Sequence, residues 1–201
     1  MTKPKAVVFD LGKVLLDFDY GIAIRRIVTR ASIPLTAIHK LISESPLLLD
    51  YEAGLLTTLQ FFDRVKAATG FRGELEEFGG LFADIFSEIA PMVELHSHLR
   101  MSRVPTYVFS NTNDLAVRHI RRQFPFFSQF DGYILSYEQR CMKPAAPFYE
   151  ALEGLAGLRG PDLAYLDDRP ENVEAAVARG WRAHLHQTPE ASWDFIKQAG
   201  L

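Results

Sequence analysis

The sequence predicts an α/β fold: a parallel sheet flanked by helices, with a helical cap subdomain inserted after the first strand. Three observations lead there. Short apolar runs of strand length alternate with helical patterns, and strands separated by helices need the crossover connections that make parallel sheets. Residues 20 to about 88 break this alternation with helical patterns and no convincing strand. Finally, the strand runs end in polar residues, and the carboxyl ends of a parallel sheet converge on one edge where ligands bind.

The first strand is Ala6-Val-Val-Phe9. Helical patterns follow over Tyr20–Arg30, Thr36–Ser43, Thr57–Thr69 and Glu74–Glu88. Thr57-Thr-Leu-Gln60 fits a capping box, and Gly70 and Gly73 punctuate the last pair. A lone crossover helix would need only about 12 residues. The segment 19–88 is therefore expected to form a cap over the sheet edge, with 1–18 and 89–201 as the core. Thr106-Tyr-Val-Phe109 is the next strand, and Asn113–Phe124 the helix after it. Tyr133-Ile-Leu135 is a further strand, and Pro144-Ala-Ala-Pro147 opens a helix running to about Leu155, since proline is tolerated in a first turn. Leu163-Ala-Tyr-Leu166 is a strand, followed by a helix over Glu171–Arg179 that Gly180 ends. The weaker run Arg182–His186 and a helix over Pro189–Ala199 complete the chain.

At 201 residues, with 48% hydrophobic and 23% charged residues, the composition is that of an ordinary globular domain able to build its own core. A net charge of −3 with no basic run gives no support to nucleic-acid binding. No apolar run nears the roughly 20 residues needed to span a membrane. The single cysteine, Cys141, excludes an internal disulfide and suits a reducing compartment. With no signal-peptide pattern before the first strand, a cytoplasmic location is expected. Oligomeric state is not readable from the sequence.

Asp10 follows three apolar strand residues, where an unpaired carboxylate would cost several kcal/mol. The other strand ends supply company: Ser110-Asn111-Thr112-Asn113, Asp167-Asp168, and, after a loop, Lys143-Pro144. This set suits phosphoryl transfer. An aspartate can attack phosphorus and form an aspartyl-phosphate. A phosphate monoester carries about two negative charges, so a cation must bridge it to the carboxylates. Asp10 and Asp168 are hard oxygen ligands suited to Mg²⁺. Lys143 would screen the remaining charge, and Ser110 with nearby backbone N–H groups would hold a phosphoryl oxygen. Asp167 and Asn172 would orient these groups from behind.

Asp10-Leu-Gly-Lys-Val-Leu, Ser110-Asn-Thr-Asn, Lys143-Pro144 and Asp167-Asp168-Arg-Pro-Glu-Asn172 resemble the four sequential motifs of the haloacid dehalogenase superfamily, in order, across residues 7 to about 187. The wording is similar to a bacterial subgroup containing sugar-phosphate phosphatases, notably for glucose 1-phosphate, and to N-terminal phosphatase domains of some epoxide hydrolases. The resemblance implies a Rossmann-like core with a C1-type cap at 20–88. It makes Asp10 the nucleophile, Ser110 the phosphate-binding hydroxyl, Lys143 the charge neutraliser and Asp168 the principal acidic metal ligand. It adds the main-chain carbonyl of Gly12 as a metal contact. The implied partner is a small phosphorylated metabolite and the implied cofactor Mg²⁺.

The departure is Gly12. Most phosphatases of the superfamily carry a second aspartate there, which protonates the leaving alkoxide and later activates water. General acid–base help is typically worth 10²–10⁴-fold. Three readings stay open. The first is a phosphatase that favours a good leaving group such as an anomeric phosphate or recruits another acid, with Asp17, Asp19, a cap residue or a metal-ordered water in view. The second is a fold kept for binding with catalysis weakened. The third is a 2-haloacid dehalogenase, where halide leaves unprotonated; against this, such enzymes need no metal and typically lack the paired acids Asp167-Asp168. Lys13 is either a substrate contact or a solvated loop residue, and Asn111 a contact to the leaving group. Asn113 reads as a helix cap. His96 and His98, two apart on a presumed helix, point to different faces. The phenylalanines at 61, 62, 78, 82 and 86 read as cap core.

Overall fold

The computed structural model describes residues 3–201. In chain order the elements are β1 (Ala6–Phe9), β2 (Leu16–Phe18), α1 (Tyr20–Ile27), α2 (Leu35–His39), α3 (Pro46–Glu52), α4 (Thr58–Thr69), α5 (Leu75–Ala83) and β3 (Phe86–Glu88). There follow α6 (Ala90–Met101), β4 (Thr106–Ser110), α7 (Asp114–Gln123), β5 (Gly132–Leu135), α8 (Ser136–Gln139) and α9 (Ala146–Ala156). The last are β6 (Leu163–Asp167), α10 (Pro170–Ala178), β7 (Arg182–Leu185) and α11 (Pro189–Gln198).

Among the described residues, five strands form a parallel sheet in the order β5-β4-β1-β6-β7. The central position of β1 explains its unbroken apolar run: both faces are covered. Its side chains alternate between them. Val7 and Phe9 join a layer with Val108, Leu166 and residues of α6, α7 and α11. Ala6 and Val8 join the opposite layer with Phe109, Tyr165 and residues of α9 and α10. The sheet thus sits between two helical layers, as the alternating sequence predicts.

The helices α1–α5 enclose a core of their own, which includes Ile24, Ile38, Tyr51, Phe61, Phe78 and Phe82. Phe61 stacks on Tyr51 at 4.4 Å between ring centroids, and Phe78 on Phe82 at 5.6 Å. The capping box at Thr57 and Gln60 is formed, and Gly70 closes α4 in the left-handed conformation at φ 64°.

Three expectations for this segment need correction. The pattern over Glu74–Glu88 stops as helix at Ala83, and Phe86–Glu88 pairs antiparallel with Leu16–Phe18. Two three-residue strands are too short to show a period, and only their pairing across some seventy residues defines them. The Tyr20–Arg30 helix ends at Ile27 and tightens into a 3-10 turn over Val28–Arg30. The sequence reading also passed over α3, although its start carries a signal: Ser45 accepts from Leu47 N and Pro46 occupies the first turn.

Candidate active site

The carboxyl ends of β1, β4 and β6 are adjacent because β1 pairs with both neighbours in register, Phe9 facing Val108 and Leu166. Asp10 follows β1, Ser110 closes β4, and Asp167 closes β6 with Asp168 next to it. Lys143 arrives from the loop between α8 and α9. All except the partly exposed Asp168 are buried.

Lys143 is the hub. Its Nζ lies 3.0 Å from Asp10 Oδ1 and 2.6 Å from Asp167 Oδ2, and it donates to the Phe109 carbonyl at 2.9 Å. Asp167 is saturated: it also accepts from Arg169 N at 2.8 Å, from Asn172 Nδ2 at 3.0 Å and from the Tyr165 hydroxyl. Asp10 Oδ1 accepts from Leu11 N at 2.7 Å. Both contacts of Asp10 fall on Oδ1, so Oδ2 is the oxygen these groups leave for a ligand.

The electrostatics follow from this packing. Burial pushes the Asp10 carboxyl up to about 7; Lys143 opposes the rise, while the charges of Asp167 and Asp168 add to it. Burial also works on Asp167, but Lys143 and the hydrogen bonds of Tyr165 and Arg169 N outweigh it and hold that carboxyl low. Asp168 is raised by burial and by the charge of Asp167. Lys143 keeps its proton firmly, because the two aspartates overcome its own burial. One lysine thus faces a cluster in which Asp10, Asp167 and Asp168 each offer an oxygen within 4.8 Å of the others. With Asp167 committed, Asp10 and Asp168 remain as oxygen donors in excess of the local positive charge. That is a donor set a hard divalent cation fits.

Several predicted contacts take a different form. The Asn111 amide is engaged within the protein: Nδ2 donates to the Lys143 carbonyl at 3.1 Å and Oδ1 accepts from Lys143 N at 2.9 Å. It clamps the Lys143 backbone. Lys13 is held by Asp17 and by the Phe18 carbonyl at 2.9 Å, with its ammonium 4.8 Å from the centre of the Phe18 ring. Both of its partners are local and its side chain is half exposed, so the solvated-loop reading describes it better than a substrate contact. Asp17 is spent on Lys13, and Asp19 caps α1 and pairs with Arg25 at 3.3 Å. Neither turns toward the strand ends. Asn113 is the α7 cap, as expected.

A cavity of about 50 Å³ lies over the strand ends, lined by Gly12, Ser110 and Asn111, by Phe18 of β2, and by Tyr20 and Glu52 of the helical segment. Among the described residues Ser110 Oγ has a single, long contact, 3.4 Å to the Asn111 carbonyl, which leaves it able to bind a ligand oxygen. Glu52 is the functional candidate the sequence reading missed. It ends a helix that reading passed over, and nothing in the motif spacing points to it. A larger groove of about 750 Å³ runs outside, past Thr57, Asp114 and Arg118; the strand-end acids line neither space.

Fold and site together define a class: a parallel-sheet α/β protein with a buried aspartate, a lysine and an acidic pair gathered at the carboxyl edge of the sheet. A family model described as haloacid dehalogenase-like hydrolase matches residues 4–180, and the chain belongs to that family. Among solved structures, it is similar to a predicted hydrolase of the same kind from Porphyromonas gingivalis, with TM-score 0.83 and 22% identity over 98% of each chain. It is also similar to a family enzyme from Bacteroides thetaiotaomicron, in complex with magnesium and inorganic phosphate, with TM-score 0.82 and 22% identity over 92% of this chain and 94% of that one. L-2-haloacid dehalogenase from Xanthobacter autotrophicus, with chloropropionic acid covalently bound, gives TM-score 0.66 and 15% identity over 94% of this chain and 80% of that one. Likeness at these identities is likeness of fold. No helix among the described residues is long and apolar enough to cross a membrane.

Proposed function

We propose that this hydrolase is a Mg²⁺-dependent phosphatase of a small phosphorylated metabolite, working through a phosphorylated Asp10. The observation that carries the reading is the acidic cluster, in which Asp10 and Asp168 offer oxygens within 4.8 Å while Lys143 ties Asp10 to Asp167. The magnesium and phosphate held by the Bacteroides enzyme support it. A dehalogenase has no use for the excess negative charge that Asp168 adds.

Asp10 and Asp168, with the Gly12 carbonyl, would hold the cation, which supplies charge neutralisation between carboxylate and phosphoryl oxygens. Asp10 attacks phosphorus from its free oxygen, while Lys143 and Ser110 stabilise the charge on the phosphoryl group. Asp167 and Asn172 keep Lys143 aimed, and Asn111 fixes its backbone. The alcohol leaves, and water then hydrolyses the aspartyl-phosphate. The helices α1–α5 act as a cap that excludes bulk water and selects the substrate.

The test is turnover of p-nitrophenyl phosphate and a panel of sugar phosphates with Mg²⁺. Asp10→Asn abolishes turnover, EDTA abolishes it reversibly, and Lys143→Met lowers kcat by roughly 10²–10³-fold. Binding of these esters without turnover supports the non-catalytic alternative, and metal-independent halide release from a 2-haloacid supports the dehalogenase. Either result overturns the reading.

A further inference from the structure

The place usually taken by the acid/base aspartate is blocked by an aromatic ring. A Cβ on residue 12 would lie 2.7 Å from Phe18 Cε1, so no longer side chain fits unless that ring moves. Asp17 and Asp19 are engaged elsewhere. One carboxyl does line the cavity, that of Glu52 at the end of α3, across from Gly12 and Ser110. Its position is fixed from both sides. Ser136 Oγ donates to the Glu52 carbonyl at 2.6 Å and accepts from Thr112 N at 2.8 Å, which ties the end of α3 to the loop after β4. The Tyr20 hydroxyl donates to Glu52 Oε1 at 3.2 Å. Beside them, the fully buried Asn113 amide leaves Nδ2 without a hydrogen-bond partner of good geometry, a donor held in reserve at the same spot.

We propose that Glu52 is the general acid and base of this site, supplied by the helical segment in place of residue 12. The inference rests on the phosphatase reading. In the first step Asp10 forms a bond to phosphorus, the bond from phosphorus to the leaving oxygen breaks, and the Glu52 carboxyl gives its proton to that oxygen, releasing the alcohol. In the second step Glu52, now a carboxylate, takes a proton from water. The water oxygen bonds to phosphorus, and the Asp10–phosphorus bond breaks to release inorganic phosphate. Each group ends as it began. The Tyr20 hydroxyl and the Asn113 amide beside Glu52, and the charge of Arg169, which is itself paired with Glu171, all favour its charged form. Burial outweighs them and pushes the carboxyl up to about 7, so both forms are populated near neutrality, as a group that first donates and then accepts a proton requires.

The test compares kcat/KM for ethyl phosphate, whose alkoxide needs a proton to leave, with that for p-nitrophenyl phosphate, whose phenolate does not. Glu52→Gln lowers the ethyl phosphate value about 10²-fold or more and the aryl value far less. An equal loss on both esters, no loss, or a rise confined to KM overturns the assignment while leaving the phosphatase reading intact. A wild-type chain inert on both esters overturns both. Thermal unfolding checks that the variant folds. Should it not, Tyr20→Phe carries the test: losing that donor raises the Glu52 pKa, so the alkaline limb of the ethyl phosphate profile moves to higher pH, and an unmoved limb overturns the proposal.

Discussion

Lys143 shows how a buried charge becomes tolerable. It touches two carboxylates and a carbonyl, so its desolvation is repaid by partners held in place by β1 and β6. His96 answers the same problem by staying neutral. It is fully buried, stacks on Phe130 at 3.9 Å and shares a 3.2 Å hydrogen bond with Thr106 Oγ1. Burial, helped by the nearby Arg100 charge, pushes its pKa down from 6.5 to about 4. The unfolded chain therefore takes up a proton at a pH where the folded chain does not. The stability is fully present above about 6.5 and is lost as pH falls toward 4. Between pH 6.5 and 5 this amounts to about 1.5 kcal/mol. Urea unfolding at those two pH values should show a steeper loss for the wild type than for His96→Leu. Parallel losses would mean that His96 does not titrate as described.

At the scale of elements, β2 is only three residues long, yet it sets the chemistry of the loop before it. Pairing with β3 places Phe18 against Phe86 and Tyr20, with centroids 6.0 and 5.6 Å apart. The ring is thereby held over Gly12. Gly12→Ala is expected to cost roughly 1–3 kcal/mol, the usual range for overpacking. Phe18→Leu in the same chain should recover part of that loss, because the clash is with the outer ring atoms. Thermal melts of the two single variants and the double variant measure the coupling. Additive losses would show that the ring does not press on residue 12. The glycine was visible in the sequence and the ring beside it was not, because their contact depends on a strand that exists only through its partner.

At the scale of the whole molecule, the helices α1–α5 are fastened over the sheet edge by side chains from both parts. Tyr51 Oη accepts from Leu115 N at 3.1 Å, and Thr58 donates to Asp114 at 2.6 Å. The space left beneath them, about 50 Å³, is far below the several hundred Å³ of an ordinary ligand pocket. On the proposed phosphatase reading this is a closed form, and the substrate would enter only when the helical segment lifts. Cysteines at positions 58 and 114, joined by a short bifunctional thiol cross-linker in a Cys141→Ser background, should lower p-nitrophenyl phosphate turnover at least about tenfold relative to the unlinked chain, since lid opening gates such enzymes. Turnover unaffected by the cross-link would show that entry needs no opening.

By itself the sequence determined the parallel sheet and singled out the strand-end residues Asp10, Ser110, Asp167 and Asp168. Each of these is written in local chemistry: an apolar run, a period, or a polar residue where a buried strand stops; Lys143, in a loop, was singled out only by its motif. Only the tertiary structure decided that Asn111 clamps Lys143, that Lys13 folds back on Asp17, that Phe18 fills the space beside Gly12 and that Glu52 faces the sheet edge. Those outcomes depend on which distant surfaces meet, and contacts between residues far apart in the chain leave no period or spacing to read.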